Sequence, residues 1–300
     1  MIFMMNYVRI IVITEVIFMY KVGSFIFDIK CQNICIPENM NKFIIEEAHT
    51  CHYTYNIQVV DNIEIKESQF FINRSNIKIV INNQLEKRYL YIMGDSTPYA
   101  VCEEIDEQSM SIFIHKDYLD YFKVDTMFVS LLSLERRLYQ YHEFILHSSY
   151  IVYKNQAILF TAPSGTGKST QASLWEKYRG ARIINGDRSL IVNKNGKYYA
   201  TGLPICGSSK ICFNEEYPIK AVVILDQGKE NSIETLSYKE MVKKLFSEIT
   251  VNYHNNEFVD NVLDFIDDFI VNVPVYHLTC NISEDAVICL DNCILNEQIN

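Results

Sequence analysis

Apolar residues follow two different periods along the chain, and the change between them divides it. Up to about residue 122 they come as short β-branched or aromatic runs, several alternating with polar positions: 8–13, 24–29, 53–60, 70–72, 77–81, 89–93 and 111–114. Turn-forming residues separate them at Pro37, at Asn82-Asn83 and from Gly94 to Pro98. This pattern predicts a β-rich domain over 1–122, which packs on or shields the rest of the chain. From Asp125 the spacing becomes helical: Phe128, Leu131, Leu134, Leu138, Tyr141 and Ile145 form one stripe. The stripe predicts a single helix over 125–146, capped by Asp125, with Glu135, Arg136 and Arg137 on the opposite side. Beyond it strands and helices alternate. Strands are expected at 150–153, 157–160 and 181–184, the last parallel to its predecessor, followed by a hairpin of 189–192 and 197–201 around Asn195-Gly196. Further strands at 221–225, 233–236 and 274–279 interleave with helices at 171–178, 238–249, 256–271 and 284–290. Such alternation predicts a second, α/β domain over 123–300.

Composition narrows the function classes. Hydrophobic residues make up 49% of the 300 residues and charged ones 21%, as in a globular protein with room for one large or two medium domains. The formal net charge of −10 speaks against nucleic acid or an anionic membrane as the main partner, so a phosphorylated ligand must be held by a local cluster. Nine scattered cysteines without a CxxC pair read as thiols of a reducing cytoplasm, mostly in the core. His49, Cys51 and His52 lack the further ligands of a zinc site and read as surface or sheet-edge residues. Arg9 and Glu15 interrupt the apolar first 20 residues, so neither a membrane span nor a secretory signal is expected there. Two strands, or a start upstream of a true first residue at Met19, explain that stretch.

The chemistry concentrates at 156–187. After the strand at 157–160 comes Ala162-Pro163-Ser164-Gly165-Thr166-Gly167-Lys168-Ser169-Thr170, then a helix ended by Gly180. This is the phosphate-loop pattern with Ala162 in place of its first glycine. Backbone N–H groups and a helix N-terminus would surround phosphate oxygens, Lys168 would reach the terminal phosphates, and Ser169 would ligate Mg²⁺. Chance matches to the pattern arise in roughly a few per cent of chains this long, and the strand before and helix after lower that further. Seven of the 10 glycines lie between 165 and 207, which concentrates sharp turns in one stretch. Asp187, at the carboxyl end of the strand at 181–184, is the candidate second magnesium ligand; an Asx turn at Gly186-Asp187 is the competing reading. The loop at 202–210 reads equally as a connector or as a binding loop.

The order His147-Ser-Ser, strand, Ala162–Thr170, Asp187-Arg188, Gly202-Leu-Pro204 resembles the HPr serine kinase/phosphorylase family. The likeness covers roughly residues 140 to 290. It implies an α/β P-loop nucleotide-binding core of the phosphoenolpyruvate-carboxykinase/HPr-kinase type, preceded here by the small β-rich domain. It also implies ATP-dependent transfer of the γ-phosphoryl group to a serine or other hydroxyl of a peptide, protein or small molecule, with ATP and Mg²⁺ as cofactors. By the same resemblance His147 lies by the γ-phosphate and orients the catalytic carboxylate, while Lys168 and Ser169 match the loop lysine and serine. Two departures stand out. The family's adjacent Asp-Asp pair is Gly186-Asp187 here, so the carboxylate that takes the hydroxyl proton is missing and Asp187 or another carboxylate must serve. The family's Glu-x-x-Gly signature is replaced by Cys206-Gly-Ser-Ser-Lys210, so the acceptor is not expected to be HPr. The alternative is a non-catalytic ATP-binding module that orders a partner-binding surface, which restoring an Asp at 186 would turn into a catalyst. Homo-oligomerisation is compatible with either.

Overall fold

The structure is a computed structural model that describes residues 18–32, 34–45 and 50–296. The strand expected at 8–13 and His49 lie outside these residues. The chain is a mixed α/β protein built on two large sheets.

The first sheet contains β1 (Met19–Val22), β2 (Phe25–Cys31), β3 (Ile44–Ile45), β4 (Tyr53–Val60), β5 (Ile72–Asn73), β6 (Ile77–Asn82), β7 (Leu85–Leu90), β8 (Ala100–Asp106) and β9 (Ser109–His115). Their order is β3-β1-β2-β4-β9-β8-β7-β6-β5. β4 is parallel to both β2 and β9, and the strands from β9 to β5 run antiparallel. The runs at 53–60, 77–81 and 111–114 are strands as their alternation predicts. β8 is not visible in the pattern because acidic residues interrupt it: Glu104 is buried, where Arg136 and Arg137 neutralise it. An isolated carboxylate could not be buried at such a position, but a paired one can.

The predicted helix over 125–146 is instead α1 (Asp125–Leu131), α2 (Leu134–Leu138), a 3₁₀ turn (Tyr139–Tyr141) and the start of a strand. Ser133 takes left-handed backbone angles and breaks the helix, while its hydroxyl accepts a hydrogen bond from Arg88 at 2.9 Å. Past Leu138 the period has changed to two: Phe144 and Leu146 enter one core and Ile145 another. Arg136 and Arg137 are buried against Glu86 and Glu104, not solvent-facing. Asp125 does not cap α1. Its carboxylate instead accepts from the Cys206 N–H at 2.8 Å and from Asn39 at 3.2 Å.

The second sheet contains β10 (Phe144–Tyr153), β11 (Gln156–Thr161), β12 (Arg182–Asn185), β13 (Arg188–Lys194), β14 (Lys197–Thr201), β15 (Glu216–Gln227), β16 (Ser232–Glu234) and β17 (Val275–Cys280). β10 and β15 are long enough to run through both of its parts. Their first halves join β13 and β14, and their second halves flank β11. β11, β15 and β17 are parallel. β12 runs in the same direction as β11, but antiparallel β10 lies between them. The strand expected at 181–184 is therefore not the direct neighbour of β11, although both carboxyl ends reach the same edge of the sheet.

Helices cover both faces, as parallel strands require. On one side α3 (Lys168–Arg179) and α6 (Glu284–Asn296) bury Ala172, Trp175, Ala286, Val287 and Leu290 against β11, β15 and β17. On the other, α4 (Tyr238–Glu248) and α5 (Asn256–Asn272) bury Leu245, Phe258, Val262, Phe265 and Phe269. The apolar spacing of α5 is helical throughout, which is why its sequence forms no other element. A third core joins the first sheet to α1 and α2 through Phe128, Leu131 and Leu138, and it includes Leu190, Leu203, Cys206 and Cys212.

Candidate functional site

The turn between β11 and α3 stands at the carboxyl edge of the parallel strands, where open α/β sheets bind ligands. Gly165 and Gly167 both have positive φ, at 84° and 116°. Gly167 is the N-cap residue of α3, and no side chain caps that helix, so its first-turn N–H groups are directed at the cleft. The methyl group of Ala162 is buried in the core beside Ala172 and Trp175, so this end of the turn is fixed by packing. Pro163 and Ser164 are exposed. The Lys168 ammonium donates to the carbonyls of Ala162 at 2.7 Å and Pro163 at 3.4 Å. Burial holds its pKa below the ordinary lysine value, against the raising influence of Glu248 and Asp187. From the outer side Gln227 donates to the Gly165 and Thr166 carbonyls at 3.3 and 3.2 Å and props the turn up.

One cleft is lined by His147, Lys168, Ser169, Thr170, Asp187 and Ser208. A second cavity, on the other flank of the turn, is lined by Thr166, Gln171, Gln227 and Asn281. The candidate residues at 147, 168, 169 and 187 thus meet, although they come from β10, α3 and the end of β12. Asn185 explains how Asp187 gets there. Its side-chain oxygen accepts from the N–H groups of Asp187 at 2.9 Å and Arg188 at 3.0 Å. The Asx turn is therefore made by Asn185, and the Asp187 carboxylate is left to face the cleft. The other end of the Asn185 amide donates to the Leu203 and Ile205 carbonyls, tying the 202–210 loop to the same strand end.

Asp187 has its Oδ2 at 3.3 Å from Arg188 Nε and its Oδ1 at 3.9 Å from His147 Nε2. Arg188 also donates to Thr250 at 3.1 Å, which fixes it as an ion-pair residue of the cleft wall. His147 is held through both its backbone and its ring. Its carbonyl accepts from Thr161 at 2.9 Å, and its Nδ1 meets Glu248 at 3.0 Å. Burial, and next the Lys168 charge, keep its pKa below the ordinary histidine value. The Ser169 hydroxyl lies 3.4 Å from the Gly186 carbonyl and 3.5 Å from the Ser149 hydroxyl.

Position 186 has no room for a side chain. A Cβ there would lie 2.1 Å from Ser209 Oγ and 2.4 Å from Ser209 Cβ. Ser209 is itself anchored, donating to the Cys206 carbonyl at 2.6 Å and accepting from the Ile211 N–H at 3.1 Å. The expectation that an Asp at 186 would simply restore a carboxylate pair is therefore corrected: the 207–209 turn fills that space. Gly207, at φ 55°, leaves room for the Asp187 carboxylate, whose Cγ a Cβ at 207 would meet at 3.0 Å. The 202–210 loop is thus part of the cleft wall, contributing Ser208. Its sequence carries no sign of this beyond an abundance of hydroxyls and glycines.

Sequence reasoning missed Glu248, Asn185 and Gln227. Glu248 was hidden at the end of an amphipathic helix. Asn185 and Gln227 sit at carboxyl ends of strands, and that placement is the one signal that could have found them. Elsewhere, Cys102, Cys206, Cys212 and Cys280 are buried free thiols, whereas Cys35 and Cys51 are exposed. His52 bonds Tyr141 at 3.0 Å. Among the described residues no group of three or more His, Cys, Asp or Glu side chains could by itself hold a metal. Nor is any helix among them long and apolar enough to cross a membrane.

The fold and the site thus define an α/β protein with a strand–turn–helix cleft at the carboxyl edge of the parallel strands of a mixed sheet. More than half of the chain, residues 114–287, matches the family described as SynChlorMet cassette protein ScmC, and the chain belongs to that family. The match is to this family and not to the HPr serine kinases that the motif order resembles. Among solved structures, the chain is similar to the Hpr(Ser) kinase/phosphatase from Coxiella burnetii. The two are 12% identical over 51% of this chain and 98% of that one, with a TM-score of 0.30. No curated protein matches the chain.

Proposed function

We propose that the protein is an ATP-dependent kinase that transfers the γ-phosphoryl group to a hydroxyl of a peptide, protein or small molecule. The observation that carries this reading is the meeting of His147, Lys168, Ser169 and Asp187 in one cleft at the uncapped N-terminus of α3. The amides of residues 165–170 would cradle the phosphates, and Lys168 would exchange its carbonyl partners for phosphate oxygens, a change of hydrogen bonds within a few ångströms. The cavity beside Gln171 and Asn281 would take the nucleoside end. Mg²⁺ fits the hard oxygen donors present, the Ser169 hydroxyl and the Asp187 carboxylate, because magnesium characteristically takes few protein oxygens and completes its shell with phosphate and water. When bound it supplies neutralisation of the triphosphate charge. In the transfer, the acceptor oxygen bonds to the γ-phosphorus as the bond to the β,γ-bridging oxygen breaks. ADP leaves with that electron pair, and the hydroxyl proton passes to the His147–Asp187 pair. Positioning and charge neutralisation do most of the work in such a reaction.

Purified protein is to be incubated with labelled ATP, Mg²⁺ and hydroxyl acceptors. Transfer is expected from the native protein and lost in Lys168→Ala, while circular dichroism shows the fold retained. Undiminished turnover in that variant refutes the assignment. A second reading, an ATP-binding module without catalysis, is favoured by Ser209 occupying the space of the missing carboxylate. It predicts thermal stabilisation by ATP with no transfer to any acceptor.

A further inference from the structure

We propose that Glu248 is a positioning residue that fixes the tautomer of His147, and that the gap between His147 and Asp187 receives the hydroxyl group of the phosphoryl acceptor. The proposal depends on the kinase reading above and names the group, His147 Nε2, that takes the proton where Gly186 leaves no carboxylate.

Glu248 is the last residue of α4, and no basic residue lies in the final turn of that helix. A carboxylate at a helix C-terminus faces the negative end of the macrodipole, an unfavourable place for it unless it has a partner. Its side chain is only 9% exposed, and the partner is His147 Nδ1 at 3.0 Å. An ionised carboxylate accepts hydrogen bonds and donates none, so this contact places the ring proton on Nδ1 and leaves a lone pair on Nε2. Nε2 points toward Asp187 Oδ1, 3.9 Å away, which is too long for a direct hydrogen bond. Two acceptors therefore face each other across a gap that a donor would enter, giving its proton to one of them. An alcohol O–H is such a donor. There it would give its proton to Nε2 as its oxygen bonds to the γ-phosphorus and ADP departs with the electron pair of the broken bond.

The surrounding backbone makes this arrangement stiff. Ile249 bridges Leu146 in antiparallel fashion, and the Thr250 N–H donates to the Ile145 carbonyl at 2.9 Å. The end of α4 is thus clamped to β10, one residue from His147. His147 itself pairs with Arg188 in the β10–β13 ladder. Arg188, which with Lys168 is a cation beside the gap, is already committed to Asp187 and Thr250. A site held by sheet pairing keeps its geometry better than one on a loop.

The test uses the full chain with ATP and Mg²⁺, and water as the hydroxyl, so phosphate release is the readout. Glu248→Ala is expected to lower kcat about 10- to 100-fold, the size of effect seen when the partner behind a metal-ligating histidine is lost, with KM for ATP unchanged. Glu248→Gln, whose amide oxygen still accepts from Nδ1–H, is expected to keep most of the rate. Nitrogen-15 spectra of the imidazole should show Nδ1 protonated and Nε2 bare in the native protein, and mixed tautomers in Glu248→Ala. A native rate in Glu248→Ala, equal losses in both variants, or a proton resident on Nε2 would each overturn the proposal. If the native protein transfers phosphate neither to water nor to any of the hydroxyl acceptors, the kinase reading itself falls, and the imidazole spectrum still reports whether Glu248 sets the tautomer.

Discussion

Placing a carboxylate at position 186 is a quantitative test of the 202–210 loop. The Cβ of Gly186→Asp would overlap Ser209 Oγ and Cβ, at 2.1 and 2.4 Å. Forcing such an overlap typically costs about 1–3 kcal/mol. Shifting Ser209 away, its Cβ included, relieves it only by breaking the hydroxyl's bonds to the Cys206 carbonyl and the Ile211 N–H, a loss of about 1 kcal/mol each. Both routes give a destabilisation of about 2 kcal/mol. Ser209→Gly alone should cost about 2 kcal/mol, from the same two hydrogen bonds together with the backbone freedom of glycine. In the double variant the overlap is gone, so the costs should not add, and a coupling of about 2 kcal/mol in favour of the pair is expected. Urea unfolding of the four proteins, followed by circular dichroism, measures it. If Gly186→Asp is neutral, or if the two changes add within about 0.5 kcal/mol, then Ser209 does not exclude a side chain at 186.

Two more outcomes stem from buried charge. Burial alone would raise the Glu86 pKa, but the hydrogen bond to His254 and the charges of Arg88 and Arg136 outweigh it and hold it at about 2, below its ordinary 4.5. A carboxyl depressed on folding contributes stability that is present above pH 4.5 and is lost as pH falls toward 2, a loss on the order of 3 kcal/mol. Urea midpoints measured down that range should fall in the native protein and stay flatter in Glu86→Gln; parallel curves would refute it. Asp125→Ala should cost about 2–4 kcal/mol, because it strands the buried Cys206 N–H and removes one of the two acceptors of the Asn39 amide. It should also raise the KM for ATP through the loosened loop, whereas an unchanged melting temperature would show that this carboxylate does not anchor it.

What the sequence reveals depends on whether a residue's neighbours are local. α4, α5 and the hairpin of β13 and β14 are legible because their burial repeats with a period fixed by the backbone. The turn at 162–170 is legible for the same reason, since its glycines, lysine and serine act within nine residues. The break at Ser133 is not legible, because the apolar stripe continues across it and the hydrogen bond that holds Ser133 comes from Arg88, 45 residues earlier. Glu104 and Arg136 look like surface charges until β8 and α2 are brought together. In the site, His147 and Asp187 can be found by their order along the chain, yet their distance cannot. It depends on β10 lying between β11 and β12, where the pattern predicts adjacent parallel strands. Glu248 lies 101 residues from its partner and belongs to no motif.

The contacts at Asn39 and Lys42 carry a consequence for how such a protein can be cut or recombined. Asn39 holds Asp125 and Cys206, and Lys42 donates to the Cys212 carbonyl at 2.8 Å. These tethers reach across the chain to the stretch that supports Asp187. The 3₁₀ turn at Glu38–Phe43, carried between β2 and β3 of the amino-terminal sheet, is therefore a splint for the cleft, not a detachable ornament. Lineages or engineers that exchange it for another module must supply a new brace beneath residues 203–212, or accept a slack pocket.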